Sequence, residues 1–273
     1  LRTERSIVTD LDVHLPVADY PVDDVAELAR RSERLEYDQV WQPETWGRNG
    51  VAAMTAMAER TDEIGIGSSI LIEGWHGVDF ERPLRRTRET LEIVRAVTDG
   101  ETVNYDGDVF SLSGFRFRSD PPAETPPIDV AAMGPKGVEM AGRFADGWHG
   151  IVLGPDGIRD RLEDLRRGAD LGGRSPDDCR AVVSVPVCVH EDGERARNLV
   201  REHMAFYIGG MGTYYRDALS RQGHEDRALE IASEWANGNR EEAAALVSDD
   251  ILDEFAAAGT REEARADLER FTE

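Results

Sequence analysis

The residues with the most chemical potential lie in Ile128–Gly137, Ile-Asp-Val-Ala-Ala-Met-Gly-Pro-Lys-Gly. An apolar strand ends there in small residues, turns at Gly134-Pro135 and opens a helix at Lys136. A strand that feeds a helix N-terminus through glycine aims free backbone N–H groups outward, the geometry that holds an anion. Lys136 is also the one lysine among 273 residues; every other cationic side chain of the Lys/Arg type is arginine. The same pattern describes an ordinary strand–helix turn with a solvated lysine, and the local sequence leaves both readings open.

Further candidates fall where strands end: His14, Glu44, Ser69-Ile70, His76 and His149-Gly150. A carboxylate such as Glu44 can move a proton, and an imidazole can do so near neutral pH. Taken singly, His14 and His149 read first as packing residues, and Trp46 and Trp75 as core or lid aromatics. None of the six histidines stands in an HxxxH or HExxH spacing, so no metal site is expected. There is no GxSxG elbow and no P-loop. Ile64–Ser69 starts like a dinucleotide glycine loop but lacks its third glycine.

What could bring these residues together is an alternation of strands and helices. Leu11–Val17 reads as a strand, and Val22 to Leu35 carries helical spacing with Asp23, Asp24 and Glu27 early in the helix. Val40-Trp41, helix Ala52–Arg60 and the glycine-thinned strand Ile64–Ile70 follow. Pro83–Val97 is a strong helix ending before Gly100. Tyr105-Asp106-Gly107-Asp108 reads as a hairpin turn between Thr102–Asn104 and Val109–Leu112. Four prolines (Pro121, Pro122, Pro126 and Pro127) stiffen the approach to Ile128. Helix Lys136–Phe144, strand Trp148–Leu153, helix Gly157–Arg167 and strand Arg180–Val189 come next. Glu191–Phe271 reads as almost wholly helical, interrupted at Gly209-Gly210-Met211-Gly212, with a Thr260–Glu263 capping box. Alternation of this kind predicts a parallel sheet in an α/β fold, with chemistry at the C-terminal strand ends. No internal repeat or linker is visible, so one domain, residues 1–273, is expected.

Composition narrows the partners. A net charge of −23 repels phosphate backbones and anionic membranes, so neither nucleic acid nor a lipid surface is expected. No apolar run approaches the ~20 residues of a membrane span, and no secretory leader is visible, so a soluble, cytoplasmic protein is the expectation. Charge this dense opposes compaction unless salt screens it; with lysine nearly absent, it points to a halophilic source. Cys179 and Cys188 flank a strand, too far apart along it to bridge.

Several stretches together resemble one family. They are Trp41-Gln-Pro-Glu-Thr-Trp-Gly-Arg48, Ile64-Gly-Ile-Gly-Ser-Ser-Ile-Leu71, Glu73-Gly-Trp-His-Gly-Val-Asp-Phe-Glu-Arg-Pro-Leu84, Arg86-Thr-Arg-Glu89, Tyr105-Asp-Gly107, and Ala131-Ala-Met-Gly-Pro-Lys136 with Ala145-Asp-Gly-Trp148. In this order they resemble the luciferase-like superfamily, and within it the coenzyme F420-dependent oxidoreductases of the methylenetetrahydromethanopterin reductase type.

The resemblance implies a TIM (β/α)8 barrel with the deazaflavin at the C-terminal strand ends. It implies that Ser69-Ile70 forms a bulge, often a non-prolyl cis peptide, behind the deazaflavin ring. Glu73 to Gly77, including His76, and Ala132, Met133, Gly134, Lys136 and Gly137 would meet the ribityl and phosphate portion, with His149 and Gly150 beside them. Glu44 stands where many relatives carry an acidic residue or a histidine, and is the implied catalytic group; the Asp-His pair of some F420 enzymes is replaced by Pro43-Glu44. The implied reaction is hydride transfer between deazaflavin C5 and a small organic substrate, in a homodimer. The alternatives are an FMN-dependent monooxygenase or a non-catalytic flavin-binding relative. Two departures stand out. Relatives carry a strand–helix–strand segment where Ile70 here runs almost directly into Glu73, and a final strand expected after Phe271 is missing. Six barrel strands are then visible, either because the residues given skip a segment near Ile70–Ile72 that the protein carries or because the chain is a truncated relative; the skipped segment is the reading favoured.

Overall fold

A computed structural model describes residues 11–14, 20–43, 50–69, 81–116, 118 and 125–272. The chain divides into two compact units, Leu1–Glu81 and Arg82–Phe271. The first is three parallel strands, β1 (Asp12–His14), β2 (Gln39–Pro43) and β3 (Gly65–Ser69), with helices α1 (Val22–Arg34) and α2 (Gly50–Ala58). Helix α1 carries Asp23 and Asp24 in its first turn and Arg31 and Arg34 in its last, each complementing the helix dipole. Its buried stripe, Val25 and Ala29, packs with Val40, Ala53 and Met57. Glu33 accepts backbone hydrogen bonds from Asp62, Glu63 and Ile64 at 2.7–3.1 Å, fixing the entry into β3. His14 stacks on Trp41 with ring centroids 6.2 Å apart.

The second unit opens with α3 (Pro83–Thr98) and a hairpin, β4 (Val103–Asp106) and β5 (Ser111–Phe115). The predicted Asp-Gly turn is longer than expected. Asp106 pairs with Ser111, and the loop closes through a Gly107 N–H to Phe110 carbonyl bond of 2.9 Å. The reason lies in α3: buried Glu89 accepts the N–H groups of Asp108, Val109 and Phe110 at 2.9–3.0 Å. Three donors on one carboxylate hold the wider loop. Tyr105 donates to Glu92 at 2.5 Å, and burial together with that bond pushes its hydroxyl up to about 12.

Then strand and helix alternate: β6 (Asp129–Ala131), α4 (Pro135–Phe144), β7 (Gly147–Ile151), α5 (Pro155–Gly172) and β8 (Arg180–Ser184), the strands pairing in parallel. The predicted strand Arg180–Val189 is broken at Val185-Pro186, because proline cannot donate to a ladder. It resumes as β9 (Val187–Val189). Alternate residues divide between two faces. Val130 and Trp148 join Val138, Ala141 and Leu165 of the helices in one core, while Asp129 and His149 lie on the other side.

The C-terminal third is largely helical: α6 (Gly193–Gly210), α7 (Tyr214–Leu219), α8 (Glu225–Ala236), α9 (Arg240–Ala245), α10 (Asp249–Phe255) and α11 (Arg261–Glu269). The helical run is interrupted where the sequence expects it: α6 ends at Gly210 and Gly212 turns at φ +82°, while the Trp235 side chain fills the space that Cβ atoms at Gly209 and Gly210 would take. One sequence expectation is corrected here. Ala257–Gly259 is a strand, β10, pairing in parallel with β9. Its alanines read as helical in sequence, yet pairing and complete burial override that propensity. The strand expected after Phe271 is therefore found before the last helix. Thr260 caps that helix in a capping box with Glu263, as the sequence predicts. Among the described residues, and counting β8 and β9 as one interrupted strand, the second unit holds four parallel strands in succession and the first holds three. Cys179 and Cys188 are free thiols, and burial pushes Cys179 up to about 11.

Candidate functional site

Of the residues singled out in the sequence, Glu44, Ile70, Glu73, His76 and Gly77 lie outside the described residues, as does the Ser69-Ile70 peptide. Ser69 ends β3 in the first unit. Ala132, Met133, Gly134, Lys136, Gly137, His149 and Gly150 are all placed by the second unit, at or near the C-terminal ends of two neighbouring strands.

These residues form one structure. The Ala132 N–H donates to the His149 carbonyl at 3.1 Å, extending the β6–β7 pairing past the last strand residue. The Ala132 carbonyl accepts from the Trp148 indole at 2.8 Å. Gly134 then caps α4 in an extended conformation (φ −95°, ψ 151°), with Pro135 as the first helical residue. A Cβ at Gly137 would lie 2.8 Å from the Ala132 Cβ, so only glycine lets the helix start close onto the strand end. A Cβ at Gly134 would meet nothing within 4 Å: the space before the helix is open. Lys136 is exposed in the first turn and forms no ion pair among the described residues. An open glycine turn, a helix N-terminus and a nearby cation together suit an anionic group.

The same chain carries an internal control. Twenty positions on, β7 runs into α5 through Gly154-Pro155-Asp156-Gly157, which repeats the Gly-Pro-x-Gly of 134–137. Gly154 also caps its helix in an extended conformation (φ −80°, ψ 172°). Here the space is filled: Gln222 Oε1 accepts the Gly154 N–H at 3.0 Å, and Glu254 packs against Gly154. One turn is satisfied by the protein and the other is open. The shared pattern is four residues long, too short to mark a repeat of the fold, and nothing within it distinguishes the open turn from the filled one.

Below the rim lies a cluster that sequence reading also missed. His149 Nε2 is 2.9 Å from Asp129 Oδ2, and Arg180 reaches the same oxygen with Nη2 at 2.6 Å and Nε at 3.1 Å. The Asp129 side chain is only 6% exposed. Burial raises the Asp129 carboxyl, but the hydrogen bonds from His149 and Arg180 outweigh it and hold the group below the usual carboxylate range. An ionised carboxylate only accepts, so the His149 proton sits on Nε2 and the ring orientation is fixed. The signal available in sequence was Asp129 itself: a charge opening a buried parallel strand needs a partner, and Arg180 opens the strand two places along. Among the described residues no group of three or more His, Cys, Asp or Glu could hold a metal ion. No helix among them is long and apolar enough to cross a membrane.

Parallel strands followed by helices, with an open glycine turn at a C-terminal strand end, are the pattern of a β/α-barrel protein. The chain belongs to the luciferase-like monooxygenase family, which it matches over residues 6–72 and 71–273. It is 30% identical over 215 residues to a 5,10-methylenetetrahydromethanopterin reductase of Archaeoglobus fulgidus; that match takes in 77% of this chain and 62% of the relative, less than two thirds of its length. It is 24% identical over 302 residues to a putative coenzyme F420-dependent oxidoreductase of Mycobacterium tuberculosis, covering 91% of this chain and 87% of that one. The structure of a coenzyme F420-dependent tetrahydromethanopterin reductase from Methanopyrus kandleri superposes with a TM-score of 0.83 at 18% identity, over 96% of this chain and 89% of the other. The fold is therefore the luciferase-like TIM barrel.

Proposed function

We propose that the protein is a coenzyme F420-dependent oxidoreductase that transfers a hydride between deazaflavin C5 and a small organic substrate. The observation that carries the reading is the open Gly134 turn with Lys136 at the start of α4. It fits an anionic group, and the chain is similar over most of its length to a relative named as a putative coenzyme F420-dependent oxidoreductase. F420, when bound, would supply the hydride. The chain's own residues bind and orient: Gly134 and the first turn of α4 receive the phosphate, Lys136 faces the anionic tail, and Ala132, Met133, Gly137, His149 and Gly150 shape that wall. Asp129 and Arg180 hold His149 in place beneath it. Glu44 is the residue proposed to handle the proton, with Ser69, Ile70, Glu73, His76 and Gly77 completing the cofactor set.

The finer readings go with this one. Residues 1–273 are read as a single luciferase-like barrel, lacking one segment of the family pattern near Ile70–Ile72. The family match supports this, because it falls into two stretches that meet at residues 71–72. A cytoplasmic homodimer from a salt-loaded cell is the setting proposed; the −23 charge supports the salt-loaded part, and the dimer rests on the family resemblance. The test is titration of the apoprotein with F420 and with FMN, followed by turnover with reduced F420 and candidate acceptors. F420 binding with hydride transfer is expected. FMN binding alone would overturn the reading in favour of a flavin monooxygenase, and F420 binding without turnover in favour of a non-catalytic binder.

A further inference from the structure

The strand that ends beside the cofactor turn is held in an unusual conformation. Val152, just past the end of β7, has φ +56°. A β-branched residue in the left-handed region is strained and persists only where its surroundings impose it. The imposing group is Gln222, 70 residues away. Its Nε2 donates to the Val152 carbonyl and to the Ala218 carbonyl, both at 2.9 Å, and its Oε1 accepts the Gly154 N–H at 3.0 Å.

Gln222 owes its own position to a second irregularity. The chain kinks between α7 and α8 at Ser220–His224, where Gln222 and Gly223 leave helical geometry and Gly223 takes φ +96°. Gly157 has no side chain where one would run into Gln222 Oε1. Glu254 lies against Gly154 and accepts from His224 Nε2 at 2.8 Å, while the His224 ring meets Phe255 edge-on at 5.5 Å. Three side chains of the helical region thus converge on the end of one strand.

We propose that Gln222 is a positioning residue: it clamps the β7 strand end in its strained form and so fixes the rim backbone, Gly150 to Gly154, against the cofactor wall formed by Ala132 to Gly137. The link between the two is the Ala132 N–H to His149 carbonyl bond. This inference rests on the reading of that wall as the F420 site.

The test is Gln222→Glu, which keeps the shape but turns a carboxylate toward the Val152 and Ala218 carbonyls. The partner variant Gly157→Ala leaves Gln222 intact and pushes it out of place. Glu33→Gln is the control, loosening the opposite, N-terminal end of a strand in the first unit. Affinity for F420, its KM against kcat, the bound-deazaflavin absorbance and the melting temperature are measured for all four proteins. Gln222→Glu and Gly157→Ala should each weaken F420 binding about tenfold and shift the bound spectrum, the scale expected for releasing one strained backbone residue. Glu33→Gln should lower the melting temperature without moving affinity or spectrum. Unchanged F420 affinity in both rim variants, or losses in Glu33→Gln equal to theirs at matched melting temperature, overturns the positioning role. Wild-type protein that binds no F420 overturns the cofactor reading instead, so the two failures are told apart. If Gln222→Glu does not fold, Gly157→Ala decides alone.

Discussion

Asp129→Asn is the substitution whose consequence can be followed furthest. The change keeps the side chain's shape and removes its charge. In the native protein one oxygen, Oδ2, takes the His149 Nε2 and two Arg180 nitrogens within 3.1 Å. Breaking a buried ion pair by removing one partner costs about 3–5 kcal/mol when both groups are fully enclosed. Arg180 is 28% exposed and so regains some hydration, which brings the expected loss to about 2–3 kcal/mol. For a chain of this size that is a drop of roughly 4–12 °C in melting temperature. The pH dependence has a definite sign. The folded-state carboxyl lies below the ordinary aspartate value, so its contribution is complete above about pH 4 and is lost as pH falls from there through the folded value. The gap between wild type and Asp129→Asn should therefore be widest near neutrality and close below about pH 4. The assay is a pair of melting series from pH 3 to 8, with circular dichroism confirming that the variant folds. Equal melting temperatures at pH 7 would refute the claim that this cluster is held by charge, as would a gap that widens on acidification.

Four further outcomes are expected. Lys136→Ala should weaken F420 binding by about two- to fivefold at low salt, the size of an exposed charge contact, and the difference should vanish in molar salt, as isothermal titration in both buffers would show. Gly134→Ala should leave the melting temperature nearly unchanged but weaken F420 binding, because its Cβ enters open space before α4; Gly154→Ala should do the reverse and destabilise, because its Cβ would lie 2.7 Å from Glu254 Cγ. Glu89→Ala should speed amide exchange at Asp108, Val109 and Phe110 before the rest of the second unit, and mass-resolved hydrogen exchange across the hairpin checks it. The net charge of −23 predicts a melting temperature that climbs from low to multi-molar KCl, and equal melts would remove the halophilic reading.

How much of this was legible beforehand depends on the kind of signal. The strand–helix alternation and the opening of α4 were readable because they are local: Gly134-Pro135 announces a helix start with no help from the rest of the chain. The capping box at Thr260 was readable for the same reason. The β10 strand was not, since Ala256-Ala257-Ala258 favours a helix and becomes a strand only by pairing with β9, 70 residues earlier in sequence. The hairpin loop failed likewise. Its length is set by Glu89 on another element, and no turn rule within residues 103–115 contains that carboxylate.

The candidate site divides along the same line, and the division bears on how the protein works. What sequence displays is the part proposed to meet a ligand, Ala132 to Gly137, built largely from small residues in one short stretch. What it conceals is the part that holds this stretch still. Asp129, His149 and Arg180 come from three strands, and Gln222 and Glu254 reach one strand end from the helical region. The two Gly-Pro-x-Gly turns make the contrast concrete. They share four positions of pattern and the same backbone, and differ only in whether a distant side chain occupies the space before the helix. Motif alone would assign both turns to a ligand. Packing leaves one turn open and gives the other to Gln222, and that difference is what makes substituting their second glycines informative: Gly137→Ala should push α4 off the Ala132 strand end and disturb the open turn, whereas Gly157→Ala acts through Gln222 on the neighbouring rim.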